Sequence, residues 1–191
     1  LAERLEGLET VGLEDGERLL AGRAAGLDVI LHDAPALFDR AGRGPYLTPE
    51  GRDWPDNAIR FGRFARAAAR AAREGVLGWV PEAVHAHDWQ AGTVAAFLAG
   101  EGPPVVFTIH NIAYAGDFPA EVLPALGLPW ELYTPEGMEF YGRASFLKAG
   151  LAYADRLTTV SPAYARELLT PAFGMGFDGL LRARADRKSV V

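Results

Sequence analysis

The 191-residue sequence contains no cysteine, which excludes a disulfide framework, thiolate metal ligands and a cysteine nucleophile. No apolar run approaches the ~18 residues of a membrane-spanning helix. Residues 1–10 carry glutamates where a signal peptide has a basic start and an apolar middle. No membrane partner is therefore expected, and a soluble cytoplasmic protein is the default reading. A basic excess is missing too. The net charge of −6 argues against a nucleic-acid partner, because neutralising phosphates needs a basic face. There is no internal repeat, no G-x-S-x-G elbow, no Walker loop and no zinc-protease helix.

What is present is enough to fold. Apolar residues make up 49% and charged residues 23%, the balance of a globular chain of one ordinary domain or one and a half small ones. Short strands are predicted over 8–13, 18–21 and 27–31, with a turn at Glu14-Asp15-Gly16. Residues 39–54 hold Gly42, Gly44, Pro45, Pro49 and Gly51 and read as a loop. Helical spacing follows over 55–73, with Pro55 at its start. There Arg60, Arg63, Arg66, Arg70 and Arg73 form a stripe that reads as the solvated face. Beyond Pro81 the chain alternates in α/β fashion. Strands are predicted at 83–86, 105–109 and 157–160, and helices at 90–99, at 144–154 and from Pro162 with Ser161 as cap. This alternation implies a parallel sheet.

In open parallel sheets ligands gather at the carboxyl ends of strands. Two such ends carry histidine beside a carboxylate or amide: His85-Ala86-His87-Asp88-Trp89-Gln90 and Thr108-Ile109-His110-Asn111-Ile112-Ala113-Tyr114. The residues admit three readings. His85, His87, Asp88 and His110 can be a metal set of imidazoles and a carboxylate, as in a metal-dependent hydrolase. Strand alternation can bury one of His85 and His87 as a satisfied core ring. Alternatively, His, Asn, Asp and Trp can line a sugar site, with hydrogen bonds for hydroxyls and an apolar plane for the ring. Gly174-Met175-Gly176-Phe177-Asp178-Gly179 satisfies G-x-G-x-x-G, but it follows a predicted helix rather than a strand. It reads as a tight loop, not a dinucleotide fingerprint.

Several segments resemble, in order, those of bacterial glycogen synthases and plant starch synthases. Val84-His85-Ala86-His87-Asp88-Trp89-Gln90-Ala91-Gly92 is similar to the family's V-H-x-H-D-W-x-x-G, and Thr108 through Gly116 to its T-x-H-N-x-x-Y-x-G. Asp33-Ala34-Pro35, Pro45-Tyr46, Asp56 through Phe61, Phe146-Leu147-Lys148-Ala149-Gly150 and Val160-Ser161-Pro162-Ala163-Tyr164 match as well. The resemblance runs from about residue 27 to residue 184.

It implies an α/β fold: a Rossmann-like parallel sheet with flanking helices, the N-terminal, acceptor-side half of a GT-B glycosyltransferase. The implied activity is elongation of an α-1,4-glucan (glycogen) from ADP-glucose with retention, without a cofactor and without a metal. His110 and Asp88 are the implied catalytic residues. Tyr46, Trp89, Asn111, His87 and Tyr114 are the implied substrate-binding residues. The family's opening strand with its K-x-G-G-L loop has no counterpart before Leu27, and the second, nucleotide-binding domain has none after Arg184. Residues 1–191 are thus expected to be a partial N-terminal domain lacking its first strand, without turnover by itself. A catalytically silent glucan-binding module is the competing expectation. Oligomeric state is left open.

Overall fold

The computed structural model describes residues 5–188. Residues 1–4 and 189–191, on which part of the reading of the chain ends rests, lie outside the described residues. The chain opens with an antiparallel sheet of β1 (Glu6–Gly12), β2 (Arg18–Ala24) and β3 (Leu27–Asp33). Its second turn is the two-residue pair Ala25-Gly26, both at positive φ (51° and 80°). That is the geometry whose twist matches two antiparallel strands. A short helix α1 (Pro35–Phe38) leads into the irregular loop expected from its prolines and glycines, and then into α2 (Asn57–Glu74).

Helix α2 carries seven alanines in 18 residues, which lets it pack on two sides at once. Ala65, Ala69 and Ala72 join the central core, while Ala67 and Ala71 meet Leu19 and Val76 under the antiparallel sheet. The predicted solvated arginine stripe is wrong most clearly at Arg60, and Arg63 too is largely covered, paired with the buried Glu17 at 2.7 Å. Arg60 is buried, donating to the carbonyls of Leu37 (2.8 Å) and Pro45 (2.9 Å) and to Asn57 Oδ1 (2.6 Å). Helical periodicity placed it on the polar face, but α1 and the loop before α2 fold back over that face and supply one carbonyl acceptor each, and Asn57 of the helix itself supplies the third.

The predicted parallel sheet is present as β4 (Val84–His87), β5 (Val105–Ile109) and β9 (Arg156–Thr159), in the order β4-β5-β9. Helix α3 (Asp88–Leu98) starts directly at the end of β4, two residues earlier than the sequence suggested. Phe107, Ile109, Ala86 and Leu157 fill the core face of the sheet, with Leu147 and Leu151 of α5 (Phe146–Tyr153) packed into the same cluster. The expectation that one of His85 and His87 is buried fails. Residues two apart on a strand share a face, so Ala86 is the buried one and both histidines are exposed.

The long excursion before α5 holds a second small antiparallel sheet, β6 (Asp117–Phe118), β8 (Arg143–Ser145) and β7 (Glu139–Phe140) in the order β6-β8-β7, with α4 (Val122–Ala125) between β6 and β7. The helix predicted from residue 144 therefore begins only at Phe146, capped by Ser145, whose hydroxyl accepts from the Lys148 amide. Helix α6 (Pro162–Leu168) starts where expected, with Ser161 capping the Tyr164 amide. Helix α7 (Asp178–Lys188) follows the glycine loop. No helical pattern over these residues is evident from the sequence. Among the described residues no helix is long and apolar enough to cross a membrane.

Candidate active-site cleft

At the carboxyl end of β4 the chain turns straight from strand to helix, and Asp88 bears the turn. Its φ is 55°, a left-handed conformation that costs a non-glycine residue ~1–3 kcal/mol. The carboxylate offsets that cost. Asp88 Oδ1 accepts from the backbone N–H groups of His110 (2.8 Å) and Asn111 (3.4 Å), tying the end of β4 to the end of β5. Asn111 continues the turn by accepting from the Ala113 amide at its own Oδ1 (3.0 Å), which leaves its amide NH2 to donate.

Beside this clamp lies a cleft of about 700 Å³ lined by Tyr46, Trp54, Asp88, Trp89, Asn111, Tyr114, Asp117 and Phe118, among others. Trp89 is its central apolar wall. The indole stands edge-on to Phe61 (centroids 4.9 Å), with Tyr46 at 5.9 Å and Phe118 at 5.7 Å. Gly116 makes room for it. That residue has φ 59°, and a β-carbon there would lie 2.6 Å from the Trp89 ring. The Tyr46 hydroxyl accepts from Gln90 Nε2 (2.6 Å), so its own O–H remains to donate into the cleft.

Five of the seven predicted site residues, Tyr46, Asp88, Trp89, Asn111 and Tyr114, thus line one cleft. His87 and His110 do not line it. They stand next to it on the exposed face of the sheet, ring against ring, with His87 Nδ1 3.1 Å from His110 Nε2. Burial, together with the neighbouring His85 and His110, holds the His87 pKa below the usual histidine value, while Asp88 pulls the other way.

The metal reading finds no support in the geometry. His85 Nε2 is engaged by Thr108 Oγ1 (2.6 Å) and His87 Nδ1 by His110. Among the described residues no group of three or more His, Asp or Glu is placed to hold an ion. The G-x-G-x-x-G segment is a tight loop, with Gly176 at φ 87°.

The sequence reading missed Gln90, Asp117 and Phe118. Asp117 is half-buried with Oδ1 unpartnered, and burial raises its pKa against the opposing pull of Arg143 and Ser145. Gln90 was legible as the neighbour of Asp88-Trp89, one helical step into the cleft. Asp117 and Phe118 carried no local signal, since a two-residue strand has no readable period.

The family model described as "Starch synthase catalytic domain" matches residues 3–183. The chain belongs to the starch synthase catalytic-domain family. Curated relatives agree. A glycogen synthase of Roseobacter denitrificans is 56% identical over 188 residues, covering 94% of this chain and 39% of the relative. A glycogen synthase of Methylocella silvestris is 54% identical over 173 residues, covering 89% and 36%. The chain therefore spans about two-fifths of the length of these starch synthase family members. Among solved structures, the catalytic domain of starch synthase IV from Arabidopsis thaliana, bound to ADP and acarbose, superposes with a TM-score of 0.79 at 27% identity. That match covers 98% of this chain and 41% of the plant one.

Proposed function

We propose that this chain forms the acceptor-side wall of a cytoplasmic glycogen synthase, a retaining glucosyltransferase that lengthens an α-1,4-glucan from ADP-glucose. The observation that carries the reading is the cleft itself. Its aromatic floor of Trp89, Tyr46 and Phe118 lies beside polar groups at the carboxyl ends of β4 and β5, inside a chain of this family. Apolar ring faces and hydroxyls are the two things a glucan presents, and the cleft offers a partner for each.

In this reaction the terminal 4-hydroxyl of the glucan attacks the anomeric carbon of the donor glucose. The bond to the diphosphate breaks on the same face, and the hydroxyl proton passes to the departing ADP. The transition state is oxocarbenium-like, and charge develops on the leaving diphosphate, which preorganised donors must meet. Asp88 acts by holding the backbone that presents His110 and Asn111. His110 and Asn111 meet the donor sugar, and Tyr46, Trp89 and Tyr114 hold the acceptor. The nucleotide pocket belongs to the part of the relatives' length that this chain does not span, so we expect the isolated chain to bind glucan without turning over.

Titration of the purified chain with maltoheptaose, followed by calorimetry, tests the reading. Saturable binding, weakened at least about tenfold by Tyr46→Ala through loss of a stacked, hydrogen-bonding ring, is the expected outcome. Absence of binding by a folded chain refutes it. A silent glucan-binding module predicts the same binding, but no gain of turnover when the remaining portion of a related synthase is supplied together with ADP-glucose.

A further inference from the structure

The hydrogen-bonded pair of His87 and His110 has a chemical consequence that the cleft alone does not. His85, His87, Thr108 and Thr158 occupy one face of the parallel sheet, because His87 is in register with Thr108 and Thr108 with Thr158. His110 lies two residues beyond Thr108, on the same side. The groups are joined in sequence. Thr158 Oγ1 is 2.5 Å from Thr108 Oγ1, which is 2.6 Å from His85 Nε2. The His85 ring packs against that of His87 with centroids 4.1 Å apart, and His87 Nδ1 meets His110 Nε2 at 3.1 Å.

Only one proton fits between two ring nitrogens at that distance, so the two neutral rings can share it in two ways. A neutral imidazole favours the Nε2–H tautomer. If His87 carries its proton on Nε2, its Nδ1 is a bare acceptor and His110 must donate Nε2–H to it. Both rings are then in the favoured tautomer, whereas the opposite arrangement puts both in the disfavoured one. A charge on the pair is disfavoured by burial, which lowers the His87 pKa, and by the adjoining His85.

We propose that His87 is a positioning residue that locks His110 as the Nε2–H tautomer, so that His110 presents a bare Nδ1 to accept a hydrogen bond from a sugar hydroxyl. This rests on the reading that His110 meets the sugar, and it reassigns His87 from substrate contact to support of its neighbour. His85 acts one step further back. Anchored by Thr108, it braces the His87 ring through a close, tilted ring contact, and the backbone of His110 is pinned independently by Asp88. With ring and backbone both tied down, a change at position 87 is read in the tautomer of His110 rather than in the course of the chain.

The test is long-range ¹H–¹⁵N correlation spectroscopy of the chain with ¹⁵N-labelled histidine near pH 7.5. In the wild type the expected spectrum shows His110 with a pyrrole-type Nε2 and a pyridine-type Nδ1. In His87→Ala the two His110 nitrogens move toward averaged values. In His87→Asn, whose side-chain oxygen stands in for Nδ1 as acceptor, the wild-type pattern returns. A pyridine-type Nε2 in the wild type overturns the proposal, whatever the variants do. So does an unchanged His110 pattern in a folded His87→Ala. Because the spectrum is recorded without sugar, failure here is separable from failure of the glucan reading, which would appear as absent maltoheptaose binding with the tautomer still locked.

Discussion

Replacing Arg60 by methionine isolates the contact that ties the Tyr46 loop to the body of the domain. The guanidinium serves the carbonyls of Leu37 and Pro45 and the side chain of Asn57, and sits over the Phe38 ring at 5.1 Å. Methionine fills much the same length but donates nothing. Pro45 is exposed, so its carbonyl regains water. Leu37 and Asn57 are buried, and each orphaned acceptor costs ~1–3 kcal/mol. Against this stands the desolvation of the guanidinium, which burial registers as a lowered pKa and which the variant no longer bears. The net loss is expected near ~3 kcal/mol. With a urea m-value of ~2.5 kcal/mol/M for a chain of this size, the unfolding midpoint falls by about 1 M at unchanged m. Tryptophan fluorescence follows the transition, and faster amide exchange should appear over residues 43–54 first. Arg60→Lys retains the charge but not the fork, and is expected to recover less than half the loss. A midpoint shift below about 0.3 M at unchanged m would refute the reasoning, because it would mean the buried acceptors of Leu37 and Asn57 find water as readily without Arg60.

Three further outcomes are expected. Gly116→Ala, with strained φ and a β-carbon against the Trp89 ring, should displace the indole, cost ~2 kcal/mol or more and abolish maltoheptaose binding by calorimetry; retained affinity would show that Trp89 is not the floor of the site. Gly92→Ala drives a β-carbon into the carbonyl of Phe146, a backbone atom that cannot swing aside, so α3 and α5 must separate and soluble expression should fall sharply. The lowered pKa of His87 makes protonation favour the unfolded chain, whose histidine titrates near the ordinary 6.5. The His87 contribution to stability is therefore complete above pH 6.5 and declines as pH falls below it. Melting temperatures measured from pH 7.5 to 5 should drop less steeply in His87→Asn than in the wild type, and parallel curves would contradict the assignment.

Binary pattern and capping residues made the parallel sheet, α2, α3 and α6 legible in the sequence, because each is set by local periodicity and by groups within a few residues, such as Ser161 and Pro162. The motifs after β4 and β5 marked the site for the same reason: a polar cluster directly after an apolar strand can lie only at the strand's end. What tertiary structure alone decided is how those local pieces meet. Arg60 looks solvated on a helical wheel and is buried because α1 and the irregular loop leading into the helix fold back over it. Asp117 and Phe118 enter the cleft through a two-residue strand with no period of its own. His87 and His110, 23 residues apart, become a single proton-sharing pair only when β4 and β5 align in parallel register. A one-dimensional pattern records which face a residue prefers, but the partner it finds there depends on segments far away in the chain, and only the packed structure brings them together.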